Sequence, residues 1–75
     1  MVSEGEATAA NLSPREQVVL RGFASGENSK VMADRIGVSA KTVQNVMSTI
    51  KEKLGLYEPA ELVHYAIKHG YIEAP

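Results

Sequence analysis

Lys30-Val31-Met32-Ala33-Asp34-Arg35-Ile36-Gly37-Val38-Ser39-Ala40-Lys41-Thr42-Val43-Gln44-Asn45-Val46-Met47-Ser48 is the stretch that decides the fold. Met32, Ala33 and Ile36 fall on one face of a helix predicted from about Lys30 to Ile36. Either Asn28 or Ser29 can cap its start, because a short side-chain oxygen there can accept an early backbone N–H. Gly37 stops it, and Ser39 caps a longer helix predicted over Ala40 to Leu54. That second helix carries Val43, Val46 or Met47, Ile50 and Leu54 at helical spacing, and Gly55 ends it. The glycine lets the chain reverse, and an apolar Val38 tucked into the core would fix the angle between the two helices. This is the spacing of a helix-turn-helix.

Outward from this unit the helical pattern continues on both sides. Ser13-Pro14-Arg15-Glu16 reads as a capping box with proline at the first helical position, and Leu12 before it can pack back onto the first turn. The helix it opens runs to about Ala24, with Val19, Leu20, Phe23 and Ala24 as its apolar stripe and Gly26 as its C-cap. On the other side Leu56 reads as a buried link. Pro59 opens a last helix to about His69, with Leu62, Val63, Ala66 and Ile67 inward. Gly70 reads as its C-cap, and Tyr71 and Ile72 stand where a hydrophobic contact often follows. No stretch alternates as a strand would, so the expected class is all-α, four short helices over residues 12–73. Residues 1–11 are small, polar and Ala/Gly-rich and read as a flexible tail or linker remnant.

Composition narrows the function. The chain has 75 residues, enough for one domain, and 44% are apolar, as in a folded globular protein. Only three Tyr and one Phe are aromatic, so Leu, Ile, Val, Met and Ala must build the core. The lack of cysteine excludes disulfide scaffolds, cysteine zinc sites and thiol chemistry, and suits a reducing compartment. Neither a membrane-spanning run nor a signal-peptide pattern is found, so the cytoplasm is the expected location. Net charge is −1, which argues against an indiscriminate nucleic-acid binder. The charge is uneven, however. Between Ser29 and Lys53, Lys30, Arg35, Lys41, Lys51 and Lys53 face only Asp34 and Glu52, a surplus of three positive charges. Glu4, Glu6, Glu58, Glu61 and Glu73 lie towards the ends.

The third helix presents Lys41, Thr42, Gln44, Asn45, Ser48 and Lys51 away from its apolar stripe. These are hydrogen-bonding tips on a helix that a DNA major groove can admit. A plain solvated face would look similar residue by residue. Lys53 is the weakest of the lysines as a contact, since its stem can lie along the core. Met32 and Met47 read as core fillers. His64 and His69 have no cysteine or acid pair at ligand spacing, so no metal or other cofactor is expected. His69 suits a helix C-terminus as a charge. Ser13, Ser39 and Ser48 have no base and acid partners, so the chain does not read as an enzyme and no small-molecule substrate is expected.

Leu12-Ser13-Pro14-Arg15-Glu16, Val19-Leu20, Gly26, Lys30, Ala33, Ile36-Gly37-Val38-Ser39, Lys41-Thr42-Val43, Ile50, Lys53-Leu54-Gly55 and Glu61-Leu62-Val63 together resemble the LuxR/NarL/GerE-type helix-turn-helix domain. That domain is usually the C-terminal output half of a response regulator or quorum-sensing regulator, and sometimes stands alone. The resemblance runs without gaps from Leu12 to Ile72. It implies sequence-specific binding of double-stranded DNA for transcription regulation, as a homodimer on DNA, with RNA polymerase a further candidate partner. It implies that Gln44, Asn45 and Ser48 face base edges and that Lys30 and Thr42 touch phosphates; Lys41 and Lys51 are read with these as phosphate-facing. It also implies a dimer face on the last helix, with Glu61, His64, Tyr65 and Lys68.

The sequence departs from the family pattern in several places. Gln44 stands where a basic residue is usual, Val46 where His is frequent and Pro59 where Arg is common. Val18 and Val31 replace acidic surface residues, and Gly22 replaces a large apolar one. Exposed Val18, Val31 and Val46 would favour a second reading, a protein-interaction module on the same fold with weakened DNA binding.

Overall fold

The computed structural model describes residues 12–73, so the reading of residues 1–11 as a tail or linker lies outside the described residues. Four helices follow one another: α1 (Pro14–Ala24), α2 (Ser29–Ile36), α3 (Ala40–Leu54) and α4 (Pro59–Lys68). Among the described residues there is no strand, so the all-α expectation holds, and the helix boundaries differ from the expected ones by no more than a residue.

The first three helices start where their cap chemistry says they should. The Ser13 hydroxyl accepts the Glu16 N–H at 3.2 Å, and the Glu16 carboxylate accepts the Ser13 N–H at 2.8 Å, which completes the capping box. Asn28, rather than Ser29, caps α2: its side chain accepts the Val31 N–H at 2.9 Å. Ser39 caps α3 through the Thr42 N–H at 3.1 Å. α4 opens on Glu58, whose N–H donates to Glu61 Oε1 at 3.3 Å. The ends of α1 and α4 fall one residue earlier than the glycines suggest, with Ser25 and His69 as C-caps and Gly26 and Gly70 just beyond.

The turn between α2 and α3 rests on Gly37. Its φ of 76° is left-handed, a conformation in which a Cβ would crowd the following carbonyl. In that shape the Gly37 and Val38 N–H groups both donate to the Ala33 carbonyl, at 2.8 and 3.0 Å, and close off the end of α2. Val38 is thereby turned inward and packs against the core.

The core consists of Leu12, Val19, Leu20, Met32, Ala33, Val43, Met47, Ile50, Leu62 and Ala66. Every helix contributes to it, and α1 is its hub: α1 packs on α2, α3 and α4, while α3 also lies against α2. Burying each large aliphatic side chain is worth about 1.5–3 kcal/mol, so the six that are essentially dry, Val19, Leu20, Met32, Val43, Ile50 and Leu62, fix the angle at which α3 stands out from the rest. Met47 takes the core position that sequence spacing left open between it and Val46, and Val46 is only half-buried. Leu56 is half-buried rather than buried. Tyr71 and Ile72 fold back on the core as expected, held by the Tyr71 N–H to the Ala66 carbonyl at 2.8 Å. Arg21 fastens this return: its Nε donates to the Tyr71 carbonyl at 3.1 Å, and its guanidinium lies 5.8 Å from the ring centre.

Candidate nucleic-acid interface

α3 turns by ~100° per residue, which sorts its side chains onto two faces. Val43, Met47 and Ile50 point into the core and are buried. Lys41, Gln44, Asn45 and Ser48 point the other way and are exposed, with Lys51 half-buried at the edge of the same stripe. Among the described residues the side chains of Gln44, Asn45 and Ser48 have no intramolecular hydrogen-bond partner, so their donors and acceptors are available to an outside ligand. The Asn45 main-chain carbonyl takes the Thr49 hydroxyl at 3.2 Å, which leaves the Asn45 side-chain amide untouched. Thr42 differs from these. Its hydroxyl lies 3.0 Å from the Ser39 hydroxyl, inside the cap of α3, and it is half-buried. Its expected phosphate contact must share that hydroxyl with the cap.

Beside the stripe runs a cleft of about 400 Å³. Gln44, Ser48 and Lys51 form one wall, and Asn28 and Ser29, at the start of α2, form the other. Met32, Met47 and Phe23 also line it. The stripe and the N-terminus of α2, with Lys30 in its first turn, therefore border one surface. Asn45 is not among the residues lining the cleft and stands on the open side of the stripe.

The basic surplus read from the sequence separates into two groups. Lys53 donates to Glu16 at 2.8 Å, and Arg35 is ion-paired with Glu27. The first ties α3 to α1, and the second ties α2 to the loop that precedes it. Lys30, Lys41 and Lys51 have no ion pair among the described residues, and these are the lysines expected to meet phosphates. Neither ion pair was legible from spacing, because each joins different helices or a helix to a loop. Glu16 shows the electrostatic outcome: burial pushes its carboxyl up, but the Lys53 ammonium and the Ser13 N–H and hydroxyl outweigh it and hold the carboxyl below the ordinary value of 4.5. At Arg35 the hydrogen bond and charge of Glu27 push the guanidinium further up.

The expected dimer face on α4 is assembled but not uniform. Glu61, His64 and Lys68 are exposed. Tyr65 is half-buried and stacked on His69, ring centres 4.1 Å apart, with Tyr71 at 6.3 Å. Burial raises its phenol above the ordinary range, and the charge of Tyr71 adds to this. Leu56 and Ile67 join Glu61, His64, Tyr65 and Lys68 around a shallow, mainly apolar groove of about 400 Å³. The valines behind the second reading do not form the expected patch: Val31 is 44% exposed, whereas Val18 and Val46 are half-buried.

Among the described residues, four helices around one core, with a tight Gly37 turn that holds the unpartnered side chains of Gln44, Asn45 and Ser48 outward, define a helix-turn-helix domain. The family model described as "GerE: Bacterial regulatory proteins, luxR family" matches residues 10–66, and the chain belongs to that family. It is 42% identical over 62 residues to the oxygen regulatory protein NreC of Staphylococcus aureus, a match covering 83% of this chain and 29% of NreC. To the Fimbriae Z protein of Escherichia coli it is 42% identical over 64 residues, 85% of this chain and 30% of that protein. To the transcriptional activator protein ExaE of Pseudomonas putida it is 38% identical over 68 residues, 91% of this chain and 32% of ExaE. The matched segment thus spans about a third of these curated relatives.

Proposed function

We propose that residues 12–73 are the DNA-binding unit of a bacterial transcription regulator, and that α3 enters the major groove of double-stranded DNA. The observation that carries this reading is the stripe on α3: Gln44, Asn45 and Ser48 exposed and without partners, flanked by Lys41 and Lys51 and bordered by the start of α2 with Lys30. Gln44, Asn45 and Ser48 face base edges. Lys30, Lys41 and Lys51 face phosphates, with Thr42 as a weaker contact because of its cap bond. Two copies bind together on DNA through α4. RNA polymerase is the partner that such a bound regulator would present a surface to, and the cytoplasm is where it would act. Family membership supports this reading, since the relatives include proteins named as transcriptional regulators.

Affinity for a pool of random duplexes, measured by electrophoretic shift over a range of salt, tests it. Binding should weaken steeply as salt rises, because each neutralised phosphate releases counterions. Lys30→Ala and Lys41→Ala should each weaken binding to all duplexes alike and flatten the salt slope by ~1. A change in preferred bases on either substitution refutes the phosphate role. Absence of salt-dependent binding refutes the reading as a whole.

A further inference from the structure

We infer that the two amides of α3 make this chain a reader of adenine: Gln44 and Asn45 each take one A·T pair, at two neighbouring steps of the half-site. The inference rests on the proposed placement of α3 in the major groove and adds the base identity to it.

A side-chain amide carries one acceptor and a two-hydrogen donor on a single plane. Adenine offers the complement in the major groove, the N7 acceptor and the N6 amino donor, whereas guanine offers two acceptors there and suits a cation with several donors. Both amides are exposed and neither is spent on an intramolecular hydrogen bond among the described residues, so the full bidentate set is available at each. α3 has no arginine anywhere between Ala40 and Leu54, so the side chain best shaped to hold guanine is missing from the reading helix. Of its lysines, Lys53 is tied to Glu16, and Lys41 and Lys51 lie towards the two ends of the stripe. Ser48, between the amides and Lys51, can bond to any base and discriminates little.

The two amides do not compete for one base. They are adjacent in sequence and diverge by ~100° around the helix. Gln44 lies on the cleft side, towards the start of α2, and Asn45 on the open side. Their tips therefore fall on different base pairs.

Selection of bound duplexes from a random pool by the 75-residue chain, followed by affinity measurements on single-step variants, tests this. The selected sites should carry A·T at two neighbouring steps, and replacing either by G·C should cost about 10- to 100-fold in affinity. Gln44→Ala should abolish discrimination at one of these steps and Asn45→Ala at the other. Gln44→Lys should move its step towards G. Both positions are on the exposed face, so folding is unaffected and can be checked by circular dichroism. Salt-dependent binding to sites with G·C at both steps, or base preferences unchanged in both alanine variants, overturns the inference while leaving α3 in the groove. No duplex binding at any salt overturns both.

Discussion

Gly22 is where the chain looks most out of place in sequence and turns out most closely fitted in the structure. It is buried in the last turn of α1, and glycine within a helix costs up to about 1 kcal/mol against alanine in helix propensity. A Cβ built there would lie 2.7 Å from Met32 Sδ, 2.9 Å from Met32 Cγ and 2.7 Å from Glu27 Oε1. The space that a larger residue would fill at Gly22 is occupied by Met32 from the neighbouring helix, and Met32 is only 2% exposed, so it has little room to withdraw. Overpacking of this kind costs about 1–3 kcal/mol, which exceeds the helix gain. Gly22→Ala should therefore lower stability by about 1 kcal/mol. In a Met32→Ala background the same change should raise it, by up to about 1 kcal/mol, because the Met32 contacts are gone and only the end of the Glu27 side chain still has to give. Urea unfolding of the four proteins in this cycle checks the sign reversal, and equal effects in both backgrounds refute the exchange of volume. Sequence shows the small residue at position 22 but not its complement, because the two sit on different helices and only packing joins them.

Between elements, one ion pair ties the start of α1 to the end of α3. Glu16, in the first turn of α1, accepts from Lys53, in the last turn of α3, at 2.8 Å. Since the folded carboxyl lies below its ordinary value of 4.5, its stabilising effect is complete above that pH and is lost as the pH falls through the lower folded value. Glu16→Gln keeps an acceptor for the Ser13 N–H but removes the charge. The stability gap between the wild-type chain and Glu16→Gln should be constant near neutrality and close on acidification below about pH 4.5. A gap that persists unchanged to about pH 3 refutes the role of the pair. The same contact explains how much of the site was legible. The capping box, the two central helices, the turn at Gly37 and the outward stripe of α3 all follow from local chemistry within a few residues, and sequence carries them. Which lysines were spoken for does not follow, because Lys53 meets an acid thirty-seven residues away and Arg35 meets Glu27 across the start of α2. Val18, read as exposed, is half-buried for a related reason: a helical wheel gives direction, and neighbouring elements decide coverage.

At the scale of the whole molecule the open question of assembly turns on α4. Its exposed face is small and carries Glu61, His64 and Lys68 around a shallow apolar groove. Much of the apolar area that Tyr65 could offer a partner is already taken by His69 and Tyr71 of the same chain. Association costs several kcal/mol before any contact contributes, and stable interfaces usually bury well over ~1,000 Å². A face of this kind is too small to meet that cost in free solution, so sedimentation of the chain alone should show a monomer or a weakly associating dimer. A duplex bearing two half-sites about one helical turn apart or closer removes much of the cost, since the first bound copy raises the local concentration of the second. Binding to such a duplex should then be cooperative. Tyr65 is a poor probe of this, because replacing it also strips the packing of Tyr71 and His69. His64 is exposed in the middle of the face and can be changed without disturbing the core. Across a two-fold axis, His64→Glu adds a carboxylate from each copy beside the two copies of Glu61. It should reduce cooperativity on the double site, with affinity for a single half-site and thermal stability unchanged. A tight dimer without DNA refutes this picture, and so does cooperativity that survives His64→Glu. The first outcome would move the contact to the exposed Val31 on α2, the large hydrophobic residue most available to a partner outside α4 and its approach.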